Sequence, residues 1–196
     1  MIKKIEIVKE TKLLGTHITD DLKWDKNTSE IVKKANRRMQ ILTQAASFTT
    51  NRQDLKRIYL SYIRSILDQS AVVWHSSLSQ KNKRDLERVQ KVAVRIIVGK
   101  NYTNYKENLL ELNLKNLNVR RENICLNFAK KCLKNDKVKN MFPKRINLHK
   151  MKKRSQEIYK INMAKTKRYK KSAIPYMARI LNNDNMRKEK NMKGLY

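Results

Sequence analysis

Asp20 and Asp21 are the one adjacent pair of acids in the chain, inside the stretch TKLLGTHITDDLKWDK at 11–26. Neighbouring carboxylates can hold a catalytic metal. Metal-assisted phosphoryl transfer, however, needs carboxylates converging on two metals about 4 Å apart, and no third acid from another strand pattern accompanies this pair. Aspartate also hydrogen-bonds nearby backbone and favours turns and helix starts. The expectation is therefore a turn. No G-x-x-x-x-G-K-[ST] loop, H-E-x-x-H or G-x-S-x-G occurs. Cys125 and Cys132 are seven residues apart. On a helix that is about 10 Å, too far for a disulfide. They match no zinc spacing, and His17, His75 and His149 are distant in sequence. They read as buried, reduced thiols. The expectation is no catalytic residue, no metal ligand and no cofactor.

The other chemistry on offer is cationic. Arg84, Arg88, Lys91 and Arg95 recur at steps of four, three and four, which places them on one helix face. They span about 17 Å of helix rise, enough to follow phosphates along one side of a duplex. Lys33, Lys34, Arg37 and Arg38 form a second cluster, and Lys56, Arg57 and Arg64 a third. An ordinary solvated helix face explains any one of these. Three together favour nucleic-acid binding, by backbone and shape because no base-reading motif is present.

Whole-chain charge agrees. Among 196 residues there are 47 Lys+Arg against 17 Asp+Glu, a formal +30. Such an excess repels itself in a compact state, and a polyanion relieves it. Codon bias in an A/T-rich genome also inflates Lys, Asn and Ile together. No 18-residue apolar run and no charged-then-apolar leader occur, so neither a membrane span nor secretion is expected, and the cysteine usage fits a cytoplasmic or nuclear protein.

The elements that must carry these side chains are mostly helical, because only 3 Gly and 2 Pro are present. Ile5 and Ile7 alternate with Glu6 and Lys9 as in a strand, and 12–18 can supply a second strand of a small ribbon. From Asp25, the residues Ile31, Ala35, Met39, Leu42 and Ala46 recur at helical spacing. Thr50 or Asn51 is placed to cap a second helix, with Leu55, Ile58, Tyr59, Tyr62, Ile63, Ile66 and Leu67 inward and Trp74 a core residue. A third helix runs from about Ser79 to Val98, with Leu86, Val89, Ala93, Ile96 and Ile97 inward and Gly99 as its stop. A short helix near 104–112 and another over 118–134 follow, the latter burying Ile124, Cys125, Phe128, Ala129 and Cys132. Beyond Lys134 the chain reads as a basic arm with a late helix around 174–182. The expected fold class is mainly α: a short N-terminal β-hairpin (1–24), a helical bundle (25–135) and a basic C-terminal arm (136–196).

Four blocks then resemble, in order, the C-terminal part of the reverse transcriptase of non-LTR (LINE-type, Jockey-like) retrotransposons. KLLGTHITDDLKW at 12–24 is similar to that family's K-Y-L-G-V-x-[IL]-D-x-x-L-x-W, which forms a primer-grip hairpin and enters the thumb. YLSYIRSILDQSAVVW at 59–74 resembles L-Y-x-S-x-[VI]-R-P-I-L-x-Y-G-x-x-V-W. LERVQKVAVRIIVG at 86–99 is similar to L-E-R-V-Q-x-x-A-x-R-x-I-x-G, and TKRYKKSAIPYMARILN at 166–182 to T-x-R-[FY]-x-x-S-x-x-P-x-x-x-R-x-W-N. Departures include Leu13 for an aromatic, Asn27–Thr28 for His-Ile, Ser65 for proline, Gln69–Ser70 for Tyr-Gly and Leu181 for tryptophan.

The resemblance implies a thumb-like helical region of an RNA-directed DNA polymerase, with the Tyr-x-Asp-Asp palm and its Mg²⁺ lying upstream of the matched blocks. It implies that Leu14, Gly15 and Trp24 help to place a primer end. It implies RNA, DNA or RNA–DNA hybrid as partner, with no membrane, no small-molecule substrate and no catalysis by this chain alone. Gly15 suits either close approach to a strand or a plain hairpin turn with positive φ. A standalone basic helical nucleic-acid-binding protein, or a non-functional relic of the element, are the alternatives.

Overall fold

The computed structural model describes residues 8–49, 51–144, 158–161 and 163–193. The chain is mainly α, with a two-stranded antiparallel hairpin ahead of the helices. Two compact units divide it: one comprises residues up to Ala71 together with Leu78–Arg120, the other Val72–Ser77 together with residues from Arg121 on.

In the first unit, β1 (Glu10–Leu13) pairs with β2 (Thr16–Thr19) in the register Leu13↔Thr16 and Glu10↔Thr19. The expected ribbon of 3–9 with 12–18 is thus replaced by a tighter one, since Leu14 and Gly15 interrupt 12–18 as a two-residue turn; residues 3–7 lie outside the described part. Both turn residues have positive φ, 47° and 81°, the pattern of a type I′ turn whose twist matches that of paired strands. Two strands need support. It comes from α1 (Asp25–Phe48): Thr16 is buried, and the Asn27 side chain accepts from the His17 amide at 3.1 Å.

Helix α1 buries Ile31, Ala35, Met39 and Leu42 and packs along α5 (Gln80–Val98), which buries Leu86, Val89, Ala93, Val94 and Ile97. Each fully buried Leu, Ile, Val or Met contributes roughly 1.5–3 kcal/mol relative to exposure, so this seam holds the unit together. Asn51 caps α2 (Arg52–Ile58), its side chain accepting from the Gln53 amide at 3.0 Å. The run continues through a π-helical turn, Tyr59–Arg64, into α3 (Ser65–Asp68). This turn was not visible in the helical spacing, and it rotates Tyr62 outward to half exposure, against expectation. Ser79 caps α5 by accepting from the Asn82 amide, and Gly99 ends it with φ 64°. Asn104 caps α6 (Tyr105–Glu111).

The second unit includes most of α4 (Ala71–Trp74) and of α7 (Leu117–Leu133), with α8 (Lys167–Lys171) and α9 (Ala173–Lys193). Its core joins Cys125, Ala129, Cys132 and Phe142 to Met177, Ala178 and Leu181. The late helix expected over 174–182 is therefore longer and belongs to a core. Met177, Ala178 and Leu181, all within the expected span, supply its apolar stripe. Phe128 is half-exposed instead of inward. Trp74 is fully buried, with the Arg121 guanidinium 5.4 Å from its ring centre.

Candidate nucleic-acid interface

Asp20 and Asp21 lie in the turn after β2. Asp20 accepts from the Asp21 amide at 2.8 Å. Asp21 accepts from the Thr19 hydroxyl at 2.7 Å and the Lys23 amide at 3.0 Å, and pairs with the Lys23 ammonium at 2.9 Å. Hydrogen bonding to the Lys23 side chain, then to Thr19 and to the Lys23 backbone, holds the Asp21 carboxyl well below the usual carboxylate range. These contacts fasten the chain between ribbon and helix. Among the described residues no group of three or more His, Cys, Asp or Glu is gathered as a metal site, and no helix is long and apolar enough to cross a membrane.

The three residues expected at a primer end have different fates. Trp24 is 8% exposed and sits at the N-cap position of α1. Its ring is taken into the core, so it anchors the helix start and is not presented to a base. Gly15 faces the Gln69 side chain, and a Cβ there would stand 2.7 Å from Nε2. Its positive φ serves the plain hairpin turn, and the neighbour it closely approaches is the Gln69 side chain. Leu14 alone protrudes, 88% exposed at the hairpin tip.

The cations sort equally clearly. Arg84, Arg88, Lys91 and Arg95 are all exposed on one face of α5, and none forms an ion pair with the described residues. Two of them rest on aromatic rings: Lys91 Nζ lies 5.2 Å from the Tyr105 ring centre and Arg95 5.0 Å from that of Tyr102. Such contacts orient a cation without cancelling its charge. Arg88 lines a groove of about 340 Å³ against α1, together with Lys33 and Lys81 but also with Asp25 and Asp85. Lys33 also pairs with Glu30 at 3.0 Å, and Arg37 is exposed one turn further on.

Four of the expected cations lie in different surroundings from the α5 row. Lys34 faces the hairpin beside Gly15 and Gln69. Arg38 donates to the Tyr62 carbonyl at 3.1 Å, so it braces the π turn. Arg57 pairs with Asp54 at 3.1 Å. Arg64 is half-buried, and burial first, then the neighbouring Arg120 charge, lowers its pKa.

No protein-family model, curated protein or solved structure matches the chain.

What the four sequence blocks contain is mostly architecture. Glu87 and Gln90, of the LERVQ block, join a polar network with Tyr59 and Tyr105. The Tyr59 hydroxyl donates to Gln90 Oε1 at 2.6 Å, Gln90 Nε2 donates to the Tyr105 hydroxyl at 2.9 Å and to the Lys115 carbonyl at 3.1 Å. Glu87 accepts from the Tyr105 hydroxyl and, at 2.9 Å, from the Leu117 amide. Burial raises the Tyr59 and Tyr105 phenols, the latter helped by Glu87, so both stay neutral donors. In the last block, Thr166 caps α8, Arg179 donates to the Lys170 carbonyl at 2.6 Å, and the Asn182 side chain exchanges two hydrogen bonds with the Tyr159 backbone.

Sequence reasoning missed the polar groups beside the α5 row. Tyr105, Gln80, Lys83, Asn116 and Asn118 border a hollow with Arg84 and Lys91. Gln80 and Lys83 lie on α5 itself, while Tyr105, Asn116 and Asn118 come from later segments that no local spacing links to it.

Proposed function

We propose that this chain binds template–primer nucleic acid as the thumb and C-terminal region of a retrotransposon RNA-directed DNA polymerase, and performs no polymerisation by itself. One observation carries the reading: the exposed row of Arg84, Arg88, Lys91 and Arg95 along α5, none of which forms an ion pair with the described residues. Each phosphate that a cation neutralises releases condensed counterions, so a row at duplex-compatible spacing binds without reading bases. The family enters through the four motif blocks alone, and the RNA–DNA hybrid as ligand follows from it. The Mg²⁺ chemistry of that family would belong to a palm outside the blocks matched here.

A salt titration of hybrid binding tests the reading. Each phosphate contact contributes about −0.9 to the log–log slope, so a slope on the order of −5 is expected. Changing Arg84, Arg88, Lys91 and Arg95 together to glutamine should flatten it by about 3 to 4 units. Failure to bind at roughly 0.1 M salt, where multi-contact proteins still bind, removes the proposal. Nucleotide incorporation by the chain alone in Mg²⁺ would overturn its non-catalytic part.

A further inference from the structure

An open hollow of about 460 Å³ lies beside the α5 row, bordered by Gln80, Lys83, Arg84, Lys91, Tyr105 and the start of α7 at Asn116 and Asn118. Three cations give it a positive wall. The one acid, Glu87, is already occupied by the Tyr105 hydroxyl and the Leu117 amide. Phosphate contact alone needs only donors on a convex ridge. This hollow adds carboxamides, which both donate and accept, and an aromatic ring held in place because its hydroxyl is fixed in the buried network.

Donor and acceptor edges together are what a nucleobase offers. In a duplex those edges are paired, whereas an unpaired base can be splayed into a pocket and read along them. Building on α5 as a phosphate-binding ridge, we infer that this hollow takes one unpaired nucleotide of the bound strand. Lys83, Arg84 and Lys91 hold its phosphate, and Gln80, Asn118 and the Tyr105 ring receive its base. The chain then prefers a duplex carrying a single-stranded extension to a blunt one.

The test compares three RNA–DNA hybrids by fluorescence anisotropy at one salt concentration: blunt, extended by a short single strand, and extended by an abasic strand with the same phosphates. The base-bearing extension should tighten binding roughly tenfold over the abasic one, in the range that base stacking supplies. Equal binding of the base-bearing and abasic extensions would overturn the inference, since phosphates alone would then be read. Gln80→Ala with Asn118→Ala, which changes no charge, should bring the ratio towards one. A ratio unchanged in a variant whose circular dichroism is native would also overturn it. A nucleoside monophosphate tested alone should show no saturable binding; saturation would assign the hollow to a free nucleotide instead of a strand. Loss of blunt-hybrid binding by itself removes the ridge reading, and the base-bearing to abasic ratio still decides the hollow.

Discussion

The Tyr59 hydroxyl reaches Gln90 Oε1 across 2.6 Å, with both residues 0% exposed. Tyr59 opens the π turn and Gln90 sits mid-way along α5. Their bond is therefore the polar link between the interrupted helix and the basic one. Gln90 also serves Tyr105 and the Lys115 carbonyl, so one carboxamide orders the whole wall behind Lys91.

Removing a buried donor or acceptor strands its partner, at a cost of about 1–3 kcal/mol. Tyr59→Phe leaves Gln90 Oε1 without its donor and should destabilise by that amount. Gln90→Leu strands the Tyr59 hydroxyl and the Lys115 carbonyl together, so it should cost more than Tyr59→Phe. Urea unfolding of the two variants and of the double variant checks this. The double variant should cost less than the sum, because the two residues share one bond.

The hairpin turn makes opposite demands on its two residues. Leu14 holds φ 47° with an 88% exposed side chain, a conformation that costs an L-residue roughly 1–2 kcal/mol and that Asn tolerates better. Leu14→Asn should stabilise the fold by about 0.5–1 kcal/mol. Gly15→Ala should destabilise it by at least ~1 kcal/mol, since φ is 81° and the new methyl meets Gln69. Adding Gln69→Ala should recover only part of that loss, because it relieves the contact and leaves the backbone strain. Chemical denaturation of the three variants measures all of this, and a Leu14→Asn protein less stable than the parent would contradict the turn geometry.

How much of this was legible beforehand depended on the range of the interaction. Asn51, one of two residues placed to cap α2, and Gly99, the stop of α5, act within a few residues and are predictable locally; Ser79, expected only as the approximate start of α5, is its cap. The apolar stripe of α1 at Ile31, Ala35, Met39 and Leu42 was equally readable. The π turn was not, because inserting an extra residue in the hydrogen-bond ladder leaves no mark on hydrophobic spacing. Helix α9 was underestimated at its C-terminal end, because residues 183–193 are mostly polar and carry no regular apolar stripe. For the candidate interface, the periodic row on α5 was visible at once. Which other cations are spent on Tyr62, Asp54 or burial depends partly on residues far along the chain, such as Tyr62 for Arg38 and Arg120 for Arg64.

Asp21 gives the ribbon a pH dependence with a definite sign. Its folded-state carboxyl is held below the unfolded value by Lys23 and Thr19. Ionised Asp21 therefore supports the fold fully above the unfolded carboxylate pKa of about 3.9. That support fades as pH falls below this value towards the lower folded one. An NMR titration of the Asp21 carboxyl should show a midpoint well below that of an ordinary exposed aspartate. Lys23→Ala should move it upwards but not fully back, since the Thr19 hydroxyl and the backbone amide of residue 23 still donate. A midpoint at the ordinary value in the parent protein would contradict the contacts described for the turn.

The sorted cations give the sharpest contrast in binding. Arg88→Gln removes an exposed charge that no described acid neutralises, so on the proposed reading it should reduce the salt slope for hybrid binding by about 0.9. Arg57→Gln should do less, since Asp54 already screens that guanidinium at 3.1 Å. Arg64→Met should leave the slope unchanged: the side chain is half-buried, and Asp68 is held by Arg120 at 2.5 Å without it. Burial and the neighbouring Arg120 both disfavour the Arg64 charge. Replacing it with an apolar side chain of similar length should therefore leave stability within about 0.5 kcal/mol, or raise it. A slope that fell equally for all three would mean that only net charge is sensed, and the α5 row would lose its special place in binding.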